Sequence, residues 1–146
     1  MQNLVLGLGN LLLADEGVGV HVAQRLLEQG RPQNAVVLDV GSAVLDALPA
    51  IAAAKKVIVV DAMKAGGSPG TVYRVAIEDC VNTGPIGSIH GFDLKSVLHM
   101  AGSELPPEVI VIGIEPEEIS WSTKLSGPVA DALPDVISAI HRELES

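Results

Sequence analysis

The stretch LVLGLGNLLLADEGVGV, residues 4–20, joins an apolar run to a glycine-rich turn with two adjacent acids and then to the start of a helical pattern. The run LVLGL has no polar alternation, which is typical of a strand buried on both faces. Apolar residues then recur at helical spacing from Val18 to Gln29, and Gly30 ends this segment. A strand, a loop and a helix in this order begin a βαβ unit, which predicts an α/β fold.

The same alternation continues along the chain. Runs rich in Val and Ile predict three further buried strands, at residues 35–40, 56–62 and 108–115. Residues 70–77 alternate only in part, which predicts a strand nearer the edge of the sheet. Helical periodicity predicts helices at residues 44–54, 92–101 and 129–144. We therefore expect residues 1–146 to form one α/β domain of three layers, in which helices flank a twisted and mostly parallel sheet. One edge strand can be either parallel or antiparallel to its neighbour.

Two prolines fall inside the predicted helices. Pro49 is expected to disturb or kink the helix at 44–54, because proline removes a backbone donor and clashes with the preceding turn. Pro134 lies close to the beginning of the last helix, which leaves the start of that helix either at Val129 or at Pro134.

Composition and charge exclude several classes of function. The net charge of −9 argues against binding nucleic acid through its phosphates, which needs a basic face. The single cysteine, Cys80, excludes an intramolecular disulfide and a thiolate zinc cluster. No run approaches the roughly 20 apolar residues of a membrane span, and the apolar start lacks the basic region of a signal peptide. We expect a cytoplasmic protein without nucleic-acid or membrane partners.

The glycine-rich turn matches a dinucleotide-binding fingerprint only in part. Gly7 and Gly9 occupy the first two glycine positions, but Leu12 stands where the third glycine lets helix and strand pack closely. The acids Asp15 and Glu16 would also repel a pyrophosphate. A nucleotide-binding module is therefore an alternative that the sequence does not favour.

Four acids are expected at the carboxyl edge of the sheet, where open parallel sheets bind their ligands. Asp15 and Glu16 follow the first strand, Asp39 lies near the end of the second, and Asp61 ends VIVVD on the third. His90 lies in a glycine-rich loop that can reach the same edge. Several carboxylates that share a site need a cation or a proton to relieve their repulsion, and carboxylate oxygens with one imidazole suit a divalent metal.

Each acid taken alone also has a structural explanation. Asp15 is a good N-cap for the first helix, where a carboxylate meets the positive end of the helix dipole. Asp39 and Asp61 are each suited to stabilising the turn that follows. Trp121 is open to two interpretations as well: it covers the rim of the site, or it packs under the last loop.

Five segments together resemble the hydrogenase maturation endopeptidases, in the family's order and spacing over nearly the whole chain. They are GLGNLLLADEGVGV, VVLDVG, VIVVDAMKAGGSPGTVYR, SIHGFDL and VIGIEPEEISWSTKLSGPVADALP. The resemblance implies an α/β fold with a twisted sheet between helices. It also implies an endopeptidase that removes a C-terminal extension from the precursor of the large subunit of a nickel–iron hydrogenase, after nickel has been inserted.

The resemblance further implies that Glu16, Asp61 and His90 contact the metal. The nickel belongs to the substrate, and no organic cofactor is expected. Asp15 and Asp39 are spare candidates for the general base of peptide hydrolysis. A non-catalytic chaperone that binds the same precursor, or its nickel, is the alternative function in another class.

Overall fold

The computed structural model of the chain describes residues 2–30, 32–41, 43–79, 87–88, 98–99 and 108–146. The strands are β1 (Asn3–Leu8), β2 (Ala35–Gly41), β3 (Lys56–Lys64), β4 (Val72–Ala76), β5 (Gly87–Ser88) and β6 (Val109–Ile114). The α-helices are α1 (Val18–Glu28), α2 (Leu48–Ala52) and α3 (Gly127–Glu145). Short 3₁₀ helices cover Ala14–Gly17, Val44–Ala47 and Ile77–Asp79.

The sheet has the strand order β2-β1-β3-β6-β4. The pairs β1–β2, β1–β3 and β3–β6 are parallel, whereas β4 runs antiparallel to β6 at the edge. The two-residue strand β5 pairs antiparallel with the end of β3. The predicted α/β class is therefore confirmed, and residues 70–77 contain an edge strand that runs antiparallel.

The sheet separates two apolar layers, as alternate residues of each buried strand point to opposite faces. On one face, Val5, Ile58 and Val60 pack with residues of α1 and α3. On the other face, Leu6, Val57 and Val59 pack with Ile51 of α2 and with Leu98. Both faces are covered, which explains why the strands read as continuous apolar runs in the sequence.

The second predicted helix is divided into two pieces. A 3₁₀ turn over Val44–Ala47 precedes α2, and Pro49 lies in the first turn of α2. Proline is tolerated there because the first backbone N–H groups of a helix have no partner within the helix. Pro49 therefore marks a helix start and not the expected kink.

The last helix begins earlier than either expected start. It begins at Gly127, so Pro134 lies inside α3. Burial of Val129 and Leu133 against the sheet fixes the turns that precede the proline. Ser126 precedes the helix with an extended backbone and is itself held by side-chain hydrogen bonds described below.

Of the predicted helix at 92–101, only residues 98–99 lie within the described residues, and both are helical. Within the described ranges, every helix is too short or too polar to cross a membrane.

A buried ion pair ties the end of α3 to the sheet. Lys56 Nζ lies 2.8 Å from Glu143 Oε2 and donates a second hydrogen bond, of 2.9 Å, to the Glu143 carbonyl. Arg74 on β4 pairs with the same carboxylate. The hydrogen bond from Arg74 and the neighbouring Lys56 hold the pKa of Glu143 below its usual value, against the opposing effect of burial.

Candidate functional site

The strand order places a topological switch point between β1 and β3. The chain passes from β1 to β2 on one side and then to β3 on the other side of β1. In open α/β sheets, ligands bind in the crevice outside the carboxyl ends of the strands at such a point. Glu16 lies in the 3₁₀ turn that follows β1, and Asp61 lies on β3. These two acids therefore belong to the neighbouring strand ends that form the crevice.

Glycines bring the turn that carries Glu16 close to the sheet. A side chain at Gly7 would overlap the carbonyl oxygen of Gly19, and one at Gly19 would overlap the carbonyl oxygens of Leu8 and Val60. The start of α1 therefore packs on β1 and β3 backbone to backbone. Gly9, with φ +128°, lies directly against the carbonyl of Glu16. Only glycine allows both close approaches, and the 3₁₀ turn packs against β3 as a result.

Asp61 is fully buried in the interior of β3. Its Oδ1 accepts a 2.9 Å hydrogen bond from the backbone N–H of Ala62, which fixes the orientation of the carboxylate. Alternation along β3 puts Asp61 on the sheet face of Val57 and Val59, the layer covered by α2. A carboxyl group so deeply buried needs hydrogen-bond partners, of which the Ala62 N–H is one.

Asp39 differs from the expectation that it joins the other acids. In the sheet register it pairs with Gly7, which pairs in turn with Val60. These three residues share a face, whereas Asp61 points to the opposite one. Asp39 is exposed, and its Oδ2 accepts a 3.2 Å hydrogen bond from Gln24 Nε2 on α1. This geometry does not favour Asp39 as the base of a site that contains Asp61.

Asp15 also has a different environment from its neighbour Glu16. The Asp15 side chain is fully buried, whereas Glu16 is half-buried. Asp15 Oδ2 accepts hydrogen bonds from the backbone N–H groups of Glu117 (2.8 Å) and Glu118 (2.9 Å) and from Ser126 Oγ (2.7 Å). Asp15 Oδ1 accepts a further bond of 2.8 Å from the backbone N–H of Ser126.

Four donated hydrogen bonds engage both oxygens of Asp15, which favours an anchoring role over that of a general base. The N-cap explanation is wrong, because Gly17 precedes α1 and no side chain caps that helix. Asp15 instead fixes residues 117–126, which we call the anchored loop, against the turn of Glu16.

Replacing Asp15 by asparagine is expected to lower the free energy of unfolding by about 3 kcal/mol. The amide nitrogen is itself a donor, and it would replace a carboxylate oxygen that now accepts hydrogen bonds. In thermal unfolding this corresponds to a shift of the midpoint of about 10 °C. The matched control is Asp131→Asn, an exposed acid on α3, which is expected to change the midpoint by less than about 2 °C. An unchanged midpoint together with lost activity would instead assign Asp15 to the chemistry.

A second anchor escaped sequence reasoning. Glu115 directly follows β6, and its Oε1 accepts hydrogen bonds from the backbone N–H groups of Ala65 and Gly67, both 2.9 Å, and from Tyr73 Oη at 2.7 Å. Burial and this contact raise the pKa of Tyr73. The signal was an acid at the carboxyl end of a buried strand, the same signal that singled out Asp61. Glu115 therefore fixes the loop that follows β3.

His90 lies outside the described residues, as does the loop that contains it except for Gly87 and Ser88. Within the part of the chain that the structure describes, no three His, Cys, Asp or Glu side chains are grouped so that they could hold a metal ion. The described strand β5 ends at Ser88, which pairs with Met63, two residues beyond Asp61.

The other histidines and Trp121 have distinct surroundings. His99 and His141 are exposed. His21 on α1 is half-buried, its Nε2 has no hydrogen-bond partner, and burial lowers its pKa. Trp121 is 81% exposed, so of the two interpretations left open, packing under the last loop is wrong.

Comparison with known proteins identifies the family of this fold and site. Residues 20–143 match the hydrogenase maturation protease family HycI. The chain is 33% identical over 149 residues to the hydrogenase expression/formation protein HupD of Rhodobacter capsulatus, which covers 98% of this chain and 71% of that protein. It is 31% identical over 151 residues to the coenzyme F420 hydrogenase subunit delta of Methanothermobacter thermautotrophicus, covering 97% and 93%.

Solved structures agree with this assignment. The hydrogenase maturating endopeptidase HybD of E. coli has a TM-score of 0.86 and 28% identity, covering 99% of this chain and 93% of that one. The [NiFe] hydrogenase maturation protease HybD of Thermococcus kodakarensis has a TM-score of 0.82 and 26% identity, covering 99% of both chains. The family match and these structures thus define an α/β peptide hydrolase. The chain belongs to the hydrogenase maturation protease family, with a processing role in hydrogenase maturation.

Proposed function

We propose that this protease removes a C-terminal extension from the precursor of the large subunit of a nickel–iron hydrogenase, and that it recognises the nickel already held by that precursor. Glu16, Asp61 and His90 contact the nickel and so position the scissile peptide. Cleavage then depends on the metal, which prevents processing before nickel insertion.

One observation supports the proposal: Glu16 lies in the turn that follows β1, and Asp61 lies on the neighbouring strand β3, on the two sides of the switch point. His90 is the third group that the family resemblance implies, and it lies outside the described residues. Two carboxylates and an imidazole are a ligand set suited to a divalent metal of borderline character.

The proposed chemistry is hydrolysis of one peptide bond. Water adds to the scissile carbonyl carbon, the C–N bond breaks, and the departing amine takes up a proton. Asp15 and Asp39 are engaged with the anchored loop and with Gln24, so neither is favoured as the base. The precursor's nickel is then the group best suited to polarise the carbonyl or to lower the pKa of the attacking water.

The test is mass spectrometry of purified precursor after incubation with catalytic amounts of this protein. We expect nickel-loaded precursor to lose the mass of its extension, and nickel-free precursor to keep its full mass over the same time. Equal cleavage of both forms would contradict nickel recognition. Binding without any loss of mass would identify a chaperone, and thermal stabilisation by NAD or ATP without cleavage would identify a nucleotide-binding module.

A further inference from the structure

Exposed apolar side chains are concentrated at one edge of the sheet. Among the described residues, the large hydrophobic side chains that are exposed are those of Leu12, Leu27, Leu45, Ile119 and Trp121. All but Leu27 lie on segments that follow the carboxyl ends of β1, β2 or β6. They therefore lie on segments at the same edge of the sheet as the turn of Glu16. Exposed apolar groups gathered in one region, unlike scattered ones, are typical of an interaction surface.

Two of these side chains are neighbours. Leu13 and Ser122 form a parallel bridge, with the Ser122 N–H donating to the Leu12 carbonyl at 2.9 Å and the Ala14 N–H donating to the Ser122 carbonyl at 2.8 Å. This register sets Leu12 opposite Trp121, and residues opposite each other in a parallel pair point to the same side. Their side chains are 52% and 81% exposed. Leu12 and Trp121 are thus two exposed apolar side chains at positions next to the same backbone bridge.

The backbone that carries Trp121 is fixed by hydrogen bonds to a buried side chain. Trp121 lies on the anchored loop, whose two ends are fixed to Asp15 through Glu117, Glu118 and Ser126. A preorganised aromatic side chain loses little conformational freedom on binding, and exposed tryptophans of this kind often dominate the energy of protein interfaces.

The charges around this edge are mainly negative. The exposed acids on the same segments are Asp46, Glu117 and Glu118, and Asp39 lies near the end of β2. Among the exposed basic side chains of the described residues, Lys64 is the last residue of β3 and Lys124 lies on the segment that follows β6. Ile119 lines a cleft of about 360 Å³ with Lys64 and Glu117. Because like-charged rims repel, a second copy of this chain is disfavoured as the occupant of this surface.

We propose that Leu12, Leu45, Ile119 and Trp121, which we call the apolar rim, dock onto an apolar surface with basic residues at its margin on the precursor protein, beside the segment to be cut. This inference rests on the proposed function, since it names the surface through which the same site receives its substrate. Docking through the apolar rim contributes to precursor affinity, while the crevice performs the cleavage.

The kinetic test compares Trp121→Ala and Leu12→Ala with the unchanged protein in the processing of nickel-loaded precursor. Each substitution is expected to raise KM by about tenfold or more and to leave kcat within about twofold, because the side chains contact the partner and not the reacting atoms. Leu27→Ala is the matched control, since Leu27 is an exposed leucine on α1 away from this edge, and its KM is expected to stay unchanged. Unchanged KM in Trp121→Ala and Leu12→Ala would overturn the docking surface.

A binding measurement separates this inference from the cleavage reaction. Trp121 is the only tryptophan of the chain, so incorporation of 5-fluorotryptophan gives a single ¹⁹F signal. Addition of unlabelled nickel-loaded precursor is expected to shift or broaden this signal, and 0.5 M salt is expected to weaken the effect because opposite charges surround the contact. A signal that stays unchanged while the precursor is cleaved overturns the docking surface alone. A shifted signal without cleavage overturns the protease proposal and supports the surface.

Discussion

Replacing Glu16 by glutamine is expected to reduce the processing of nickel-loaded precursor by about 100-fold or more, while the thermal midpoint stays within about 2 °C. Substituting even an outer-shell partner of a metal site changes affinity or activity by about 10- to 100-fold, so loss of a carboxylate proposed to contact the nickel directly is expected to have at least that effect. Glu16 is half-buried in a turn whose anchoring depends on Asp15, which explains the small expected effect on stability. The readout is the initial rate of precursor shortening by mass spectrometry.

The matched control for this prediction is Glu28→Gln. Glu28 is an exposed acid at the last position of α1, and α1 runs from the turn of Glu16 toward the opposite edge of the sheet. The same change of charge is therefore made far from the crevice, and processing is expected to continue at the unmodified rate. Full-rate processing by Glu16→Gln would remove Glu16 from the site, whatever the result for Asp61→Asn.

Replacing Gly19 by alanine is expected to lower the free energy of unfolding by about 3 kcal/mol or more, with a fall of the thermal midpoint of about 10 °C. A methyl group at this position would overlap the carbonyl oxygens of Leu8 and Val60. Both atoms belong to the backbone of the central strands, so they cannot move aside as a flexible side chain would. Relief requires α1 to move away from β1 and β3, which also displaces the turn of Glu16.

Gly127→Ala is the matched control for Gly19→Ala. Nothing lies within 4 Å of the position that a side-chain carbon would occupy at Gly127. Alanine at the first position of α3 is expected to be neutral, or to stabilise the protein by up to about 1 kcal/mol, because it restricts the unfolded chain. Equal midpoints for the two alanine variants, measured by thermal unfolding, would show that α1 does not pack on the strands as described.

The fold was predictable because its signals are local. Runs such as KVIVVDA are apolar almost without interruption, as expected of strands buried on both faces. The helix that begins at Val18 has a clear apolar face. The start of the last helix was not predictable from Pro134, because burial of Val129 and Leu133 outweighs the cost of a proline inside the helix. That balance depends on the tertiary packing of α3, which local patterns do not contain.

The candidate site was predictable only in part. The position of Asp61 on a strand next to β1 follows from the sheet order, which the βαβ pattern suggests. Asp39 and Asp61 point to opposite faces of the sheet because of the strand register, and a register shift of one residue would move every side chain of a strand to the other face. The anchoring by Asp15 and Glu115 joins residues about 100 and 50 positions apart, respectively, so the local sequence marks the acids but does not show which loops they bind.

The direct succession of Asp15 and Glu16 has a mechanical consequence. One carboxylate grips the loop that presents Trp121, and the next residue along the chain supplies the acid of the crevice. A displacement of that loop therefore acts through the Asp15 side chain on the backbone next to Glu16, since the two residues share one planar peptide unit. Docking at the proposed surface and the position of Glu16 are therefore expected to be mechanically coupled.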